Sequence, residues 1–131
     1  MRFRRVKLDN RMKQIKHNFP PFTHLPTQAT DNGVIAGLLT DVDYIREFIH
    51  RYRRKLIVHS IIYYELNDNL ISDDTWSRWA RELKVVQELH SELSRTLGFF
   101  DEEFEGWEGV TGFALARLPL THIALYLTRN R

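Results

Sequence analysis

Between Thr40 and Leu97 the apolar residues recur at steps of three and four, which predicts two long amphipathic helices. The first stripe runs through Val42, Ile45, Ile49, Tyr52, Leu56, His59, Tyr63 and Leu66 and defines a helix over about 41–66 with one buried face. Thr40 is its expected N-cap, with Asp41 and Asp43 in the first turn complementing the helix dipole. The polar run Asn67-Asp-Asn69 ends it. The second stripe, Trp76, Trp79, Leu83, Val86, His90, Leu93 and Leu97, predicts a helix over about 72–97, capped by Ser72 and stopped by Gly98. A connection this short makes the two helices antiparallel neighbours.

The flanking pattern is weaker. Met1 to Lys16 forms either a short strand or a basic arm, and Phe19-Pro-Pro-Phe22 favours extended backbone. Turn formers at Thr30-Asp-Asn-Gly33 predict a loop over 23–40 with one helical turn. From Phe99 to Pro119, glycines, acids and aromatic residues describe a loop anchored by its rings. Thr121 is expected to cap a final helix through Ile123, Tyr126 and Leu127. The expected fold is therefore mainly α, one domain over 1–131. It divides into a basic, extended segment (1–40), the helix pair (41–97), and a Gly/aromatic loop with a short C-terminal helix (98–131).

Composition adds boundaries. The chain has 131 residues, enough to bury roughly two thirds of its unfolded surface in one core. It has no cysteine, which excludes disulfides, thiolate metal sites and Cys nucleophiles. No run approaches the ~18 apolar residues of a membrane span, and the Arg-rich start lacks the apolar segment of a signal peptide. These features predict a cytoplasmic protein without a membrane partner. The net charge of +2 hides segregation: residues 1–64 carry twelve Lys/Arg against five Asp/Glu, and 65–108 carry four against twelve. Such polarity suits a charged partner, homo-oligomer formation in opposed orientation, or complementarity within one chain.

The turn between the predicted helices carries most of the candidate chemistry. It brings Tyr63 and Tyr64 at the end of one helix toward Asp73 and Trp76 at the start of the next. Aromatic rings supply stacking area, and a helix N-terminus attracts an anion, a combination that suits a flat ring carrying a phosphate. The plain alternative is that the three rings fill the space between the helices and Asp73 stabilises a first turn.

From His59 to Leu83 the chain resembles, without a gap, the N-terminal Ia region of NAD-dependent DNA ligases. That pattern is His-x-x-x-Tyr-(Tyr or His), a polar turn, Ile-(Ser or Pro)-Asp-x-x-Tyr-Asp, then Glu-Leu. Here it reads His59, Tyr63-Tyr64, Ile71-Ser72-Asp73, Trp76 and Glu82-Leu83. His90-Ser-Glu92-Leu93 is similar to a His-Pro-Glu-Leu found further along in ligases, and short phage proteins described as ligase-related look similar too. The resemblance implies that Tyr63, Tyr64, Asp73 and Trp76 contact a nucleotide, nicotinamide mononucleotide or NAD in the full enzymes. Trp76 stands where the family has Tyr, and Ser77 where it has a second Asp.

The ligase nucleophile motif Lys-x-Asp-Gly does not occur, so the chain is not expected to seal DNA or to be an enzyme. The expected function is that of a non-catalytic, phage-encoded accessory protein that requires no cofactor and has a site for nicotinamide mononucleotide, NAD or a related nucleotide. A second possibility is a protein-binding inhibitor of a host or anti-phage defence enzyme. A third is nucleic-acid binding through the basic half, with Arg51, Arg53, Arg54 and Lys55 as contacts. Of the six histidines, none pairs at metal-ligand spacing. His59 and His90 fall on apolar stripes, the place of hydrogen-bonded core histidines.

Overall fold

The computed structural model describes residues 25–131, so the expectations for Met1 to Lys16 and for Phe19 to Phe22 lie outside the described residues. The described chain is mainly helical: α1 (Gln28–Ile35), α2 (Val42–Tyr64), α3 (Asp73–Leu89), α4 (Ser91–Arg95), a 3-10 turn (Leu115–Arg117) and α5 (Thr121–Arg129).

The long pair is antiparallel, as its contacts require. Ser60 meets Trp76 and His59 meets Trp79, whereas Tyr52 meets Glu82 and Arg53 meets Gln87, so the later part of α2 lies against the start of α3 and its middle against the end of α3. The apolar stripe of α3 buries Ala80, Leu83 and Val86 against α2.

The expectation of one buried face on α2 does not hold. Phe48, Ile57, Val58, Ile61 and Ile62 are buried as fully as Ile45, Ile49 and Leu56, because α1, α3, α4, α5 and the 3-10 turn all pack on α2. It is a central helix, and each large apolar side chain withdrawn from water there stabilises the fold by roughly 1.5–3 kcal/mol. Within its predicted stripe, Val42 at the start is 54% exposed and Tyr63 near the end 49% exposed.

Local chemistry moves several boundaries. Asp41, rather than Thr40, caps α2, its Oδ1 accepting from the Asp43 amide at 2.9 Å. The predicted loop before it contains α1. Thr27 accepts from the Thr30 amide while the Thr30 hydroxyl accepts from the Thr27 amide, a reciprocal capping box that starts a helix through the Asp31-Asn32-Gly33 turn formers.

The second long helix breaks at His90, whose φ of −126° and ψ of 56° leave the helical region, and a short α4 follows. The break aims the Ser94 hydroxyl and carbonyl at Arg53 on the central helix. Gly98 then turns the chain with φ of +86°, a left-handed conformation suited to glycine. The following loop packs inward through Phe99, Phe100 and Phe104, all buried. Leu120, without a side-chain cap bond, precedes α5; Thr121 is its first residue, and Tyr126 faces outward at 65% exposure. Ala124 is fully buried on the inward face of α5, and the expected Ile123 and Leu127 pack against the core beside it, partly buried. No described helix is long and apolar enough to cross a membrane.

Candidate ligand cavity

A cavity of about 220 Å³ lies where the end of α2, the start of α3 and the 110–112 loop converge. Tyr63, Tyr64, Asp73 and Trp76 all line it. The turn between the helices accounts for this placement. Leu66 and Asp68 donate backbone hydrogen bonds to the Ile61 and Ile62 carbonyls, and Asn67 takes a φ of +52°, which folds the chain back toward α3. The Ser72 hydroxyl accepts from the Thr75 amide at 3.1 Å and sets the first turn of α3, so Asp73 sits at its opening with its side chain exposed.

The aromatic walls are held by hydrogen bonds to other lining residues and by neighbouring rings. The Trp76 indole N–H donates to Ser60 Oγ at 3.2 Å, and the Ser60 hydroxyl donates to the Leu56 carbonyl at 2.7 Å. The indole edge also meets Trp107, at 6.5 Å between ring centroids. Tyr63 and Tyr64 stand almost perpendicular, at 85° and 4.8 Å, so they form two faces of a corner. The Tyr64 and Thr111 hydroxyls share a hydrogen bond of 3.1 Å, and Phe113 packs edge-on against Tyr64. These bonds join the tip of α2 to the loop.

Gly112 forms part of the wall because no other residue fits there. A Cβ at that position would fall 2.0 Å from Ser60 Oγ and 2.9 Å from Trp76 Cζ2. The sequence pattern includes this glycine among several in the loop but does not single it out. Ser60, Thr111 and Asn69 also line the cavity, and no motif marks them. Ser77, where the ligase pattern has a carboxylate, lines it too.

His59 lies in the wall beside these polar groups. Burial, and secondarily the nearby Lys55 ammonium, push its pKa below the ordinary histidine range, so it is neutral at pH 7. Its buried Nδ1, like the buried Nε2 of His90, has no hydrogen-bond partner among the described residues, contrary to the expectation of hydrogen-bonded core histidines. The ring of His59 instead packs edge-on against Trp79, a contact that aromatic electrostatics favours without a hydrogen bond.

The basic cluster does not form the exposed patch expected from its charges. Arg53 is fully buried and donates to Gln87 Oε1, the Phe99 carbonyl, Asp101 Oδ1 and the Ser94 hydroxyl and carbonyl. It is therefore a core residue, not a partner contact. Arg51 pairs with both oxygens of Asp31 at 2.7 and 3.2 Å. Lys55 lies between the Tyr52 and Trp79 rings at 3.7 and 3.9 Å. Burial, followed by repulsion from Arg51, lowers its pKa to about 8. Arg54 is half-buried. Of this cluster, Arg53 meets the acidic half of the chain through Asp101, whereas Arg51 pairs with Asp31 of the basic half itself.

A second hollow of about 190 Å³ lies between α3, α4 and the 104–108 loop. It mixes Lys84 and Arg95 with Glu88, Glu105 and Glu108 and has no consistent charge. Among the described residues, no His, Asp and Glu cluster is placed to hold a metal ion. No family model, curated protein or solved structure matches the chain.

Proposed function

We propose that the cavity binds a nicotinamide nucleotide, nicotinamide mononucleotide or a close relative, and that the protein acts as a non-catalytic, phage-encoded accessory factor. One observation carries this reading: Tyr63, Tyr64 and Asp73, which match the ligase Ia motif, and Trp76, which replaces its Tyr, converge on one open cavity instead of filling a closed core. Two perpendicular tyrosines and an indole offer faces for a flat ring. The Asp73 carboxylate is an acceptor suited to ribose hydroxyls. Cavities that engulf drug-sized ligands run from about 300 Å³ upward, so 220 Å³ suits a ring and part of its sugar and leaves the adenylate half of NAD outside.

Titration with nicotinamide mononucleotide to millimolar concentration tests this directly. The Trp76 indole resonance and the backbone amides of residues 63–77 should shift, and Tyr64→Ala and Asp73→Ala should weaken the response while preserving helical content. No shift at millimolar ligand would remove the proposal.

A second reading, recognition of a host or defence protein, is favoured by the apolar rim of the same cavity. Val110 is 83% and Phe113 54% exposed. A partner using this rim would be lost on Phe113→Ser, whereas one that survives this change binds elsewhere.

A further inference from the structure

We infer that the chain's own Phe19-Pro-Pro-Phe22 segment seats in the aromatic corner, so that the cavity and its rim form a groove for a proline-rich strand that the protein supplies to itself. This goes beyond the nucleotide proposal and does not rest on it. Three observations carry it.

The first is reach. A Cβ on Gly37, just after α1, would stand 3.9 Å from Leu89 Cδ2 at the end of α3, whereas Asp31 within α1 pairs with Arg51, whose neighbour Tyr52 meets Glu82. α1 therefore runs along the helix pair with its N-cap, Thr27, directed toward the end of α3 that carries Trp76. At about 1.5 Å per residue Glu82 lies about 9 Å from Trp76 along α3, and the turn from Asp31 back to Thr27 covers about 6 Å of that. Pro21 precedes Thr27 by six residues, which span about 19 Å in the polyproline conformation. The corner is thus within reach of Pro20 and Pro21, including a sideways step of about 8–10 Å between helices.

The second is the chemistry of the groove. Tyr63 and Tyr64 stand at 85° with Trp76 beside them, and Phe113 extends the aromatic wall edge-on to Tyr64. Proline rings pack on such faces, and their fixed φ presets the extended backbone, so little chain entropy is lost on seating. A polyproline strand has no internal hydrogen bonds; the Tyr63 hydroxyl and the Asn69 amide, both on the lining, are donors suited to its carbonyls. The flanking Phe19 and Phe22 match the exposed apolar rim of Val110 and Phe113.

The third is charge. Arg11, Lys13 and Lys16 precede the segment, while the opening of α3 exposes Asp73 and Asp74, and no Lys or Arg lines the cavity among the described residues. Opposite charge at the mouth of the groove fixes the direction in which the strand enters. The contact is autoinhibitory: a segment that fills the cavity about nine-tenths of the time weakens a competing ligand about tenfold.

Nuclear magnetic resonance of the full chain tests this. Overhauser contacts are expected between the Pro20 and Pro21 ring protons and the rings of Tyr63, Tyr64 and Trp76, unchanged on dilution. Pro20→Ala combined with Pro21→Ala should move the Trp76 indole resonance and keep helical content, because both changes precede α1. The same variant should bind nicotinamide mononucleotide about tenfold more tightly than the parent.

Absence of the Overhauser contacts overturns the inference. Contacts found only between isotopically labelled and unlabelled chains in a mixture assign the cavity to the segment of a second copy, and overturn its placement within one chain. Equal affinity for the mononucleotide with and without the prolines shows that the two do not compete, and overturns it as well. Failure of the mononucleotide to bind either protein removes the nucleotide proposal alone, since the proton contacts still decide the segment.

Discussion

The Arg53 guanidinium, wholly buried on the central helix, meets the partly exposed Asp101 carboxylate at 2.7 Å. Asp101 also accepts from the Gly98 and Phe99 amides, so one carboxylate closes the turn after Gly98 and neutralises the buried cation. The remaining guanidinium protons go to Gln87, Ser94 and the Phe99 carbonyl. Through one side chain α2 grips α3, α4 and the aromatic loop.

Replacing Arg53 with alanine should therefore cost about 3–5 kcal/mol, because a buried acceptor network loses its donor and a cavity opens. Urea unfolding measures this. Asp101→Asn should cost less, since the carboxylate is partly in water and the amide group still accepts hydrogen bonds. A loss below about 1 kcal/mol for Arg53→Ala would mean the network contributes little.

His50 is expected to make the fold sensitive to mild acid. It is fully buried and packs against Phe99 at 4.1 Å between centroids. Burial first, then Arg54, Arg53 and Arg51, lower its pKa from 6.5 to about 3. Between those values the unfolded chain binds a proton that the folded chain does not. Stability should accordingly fall as pH drops through the window from 6.5 to 3, by up to ~1.4 kcal/mol per pH unit. His50→Gln should be less stable at neutral pH but flatter between pH 6.5 and 4.5, measured by unfolding midpoints. A variant as acid-sensitive as the parent would assign the effect to other groups.

Gly112→Ala tests the packing of the cavity wall. The added carbon collides with Ser60 Oγ and Trp76, so the loop must lift or the indole must turn. Destabilisation of about 1–3 kcal/mol is expected, together with a displaced Trp76 indole resonance as its bond to Ser60 lengthens. An unchanged resonance and midpoint would show that the loop adapts freely.

The sequence by itself determined the two long helices, their antiparallel pairing and the meeting of Tyr63, Tyr64, Asp73 and Trp76. Each follows from local rules: helical spacing of apolar residues, a Ser72 cap, and a turn too short for any other arrangement. It also contained the Thr27/Thr30 capping box, which in the structure overrides the Asp31-Asn32-Gly33 turn signal, because intrinsic propensity is weak beside a satisfied cap and a packed face.

Only the tertiary structure decided the rest. Packing on several sides made α2 a central helix and drew Arg53 out of the basic surface into a buried network, which no periodicity of α2 alone can express. The break at His90 serves that network. Likewise Gly112, Ser60 and Thr111 join the cavity because a loop from far along the chain lies across the helix pair. Contacts between residues distant in sequence depend on how whole elements fill shared space, and local patterns of charge and hydrophobicity do not encode that filling.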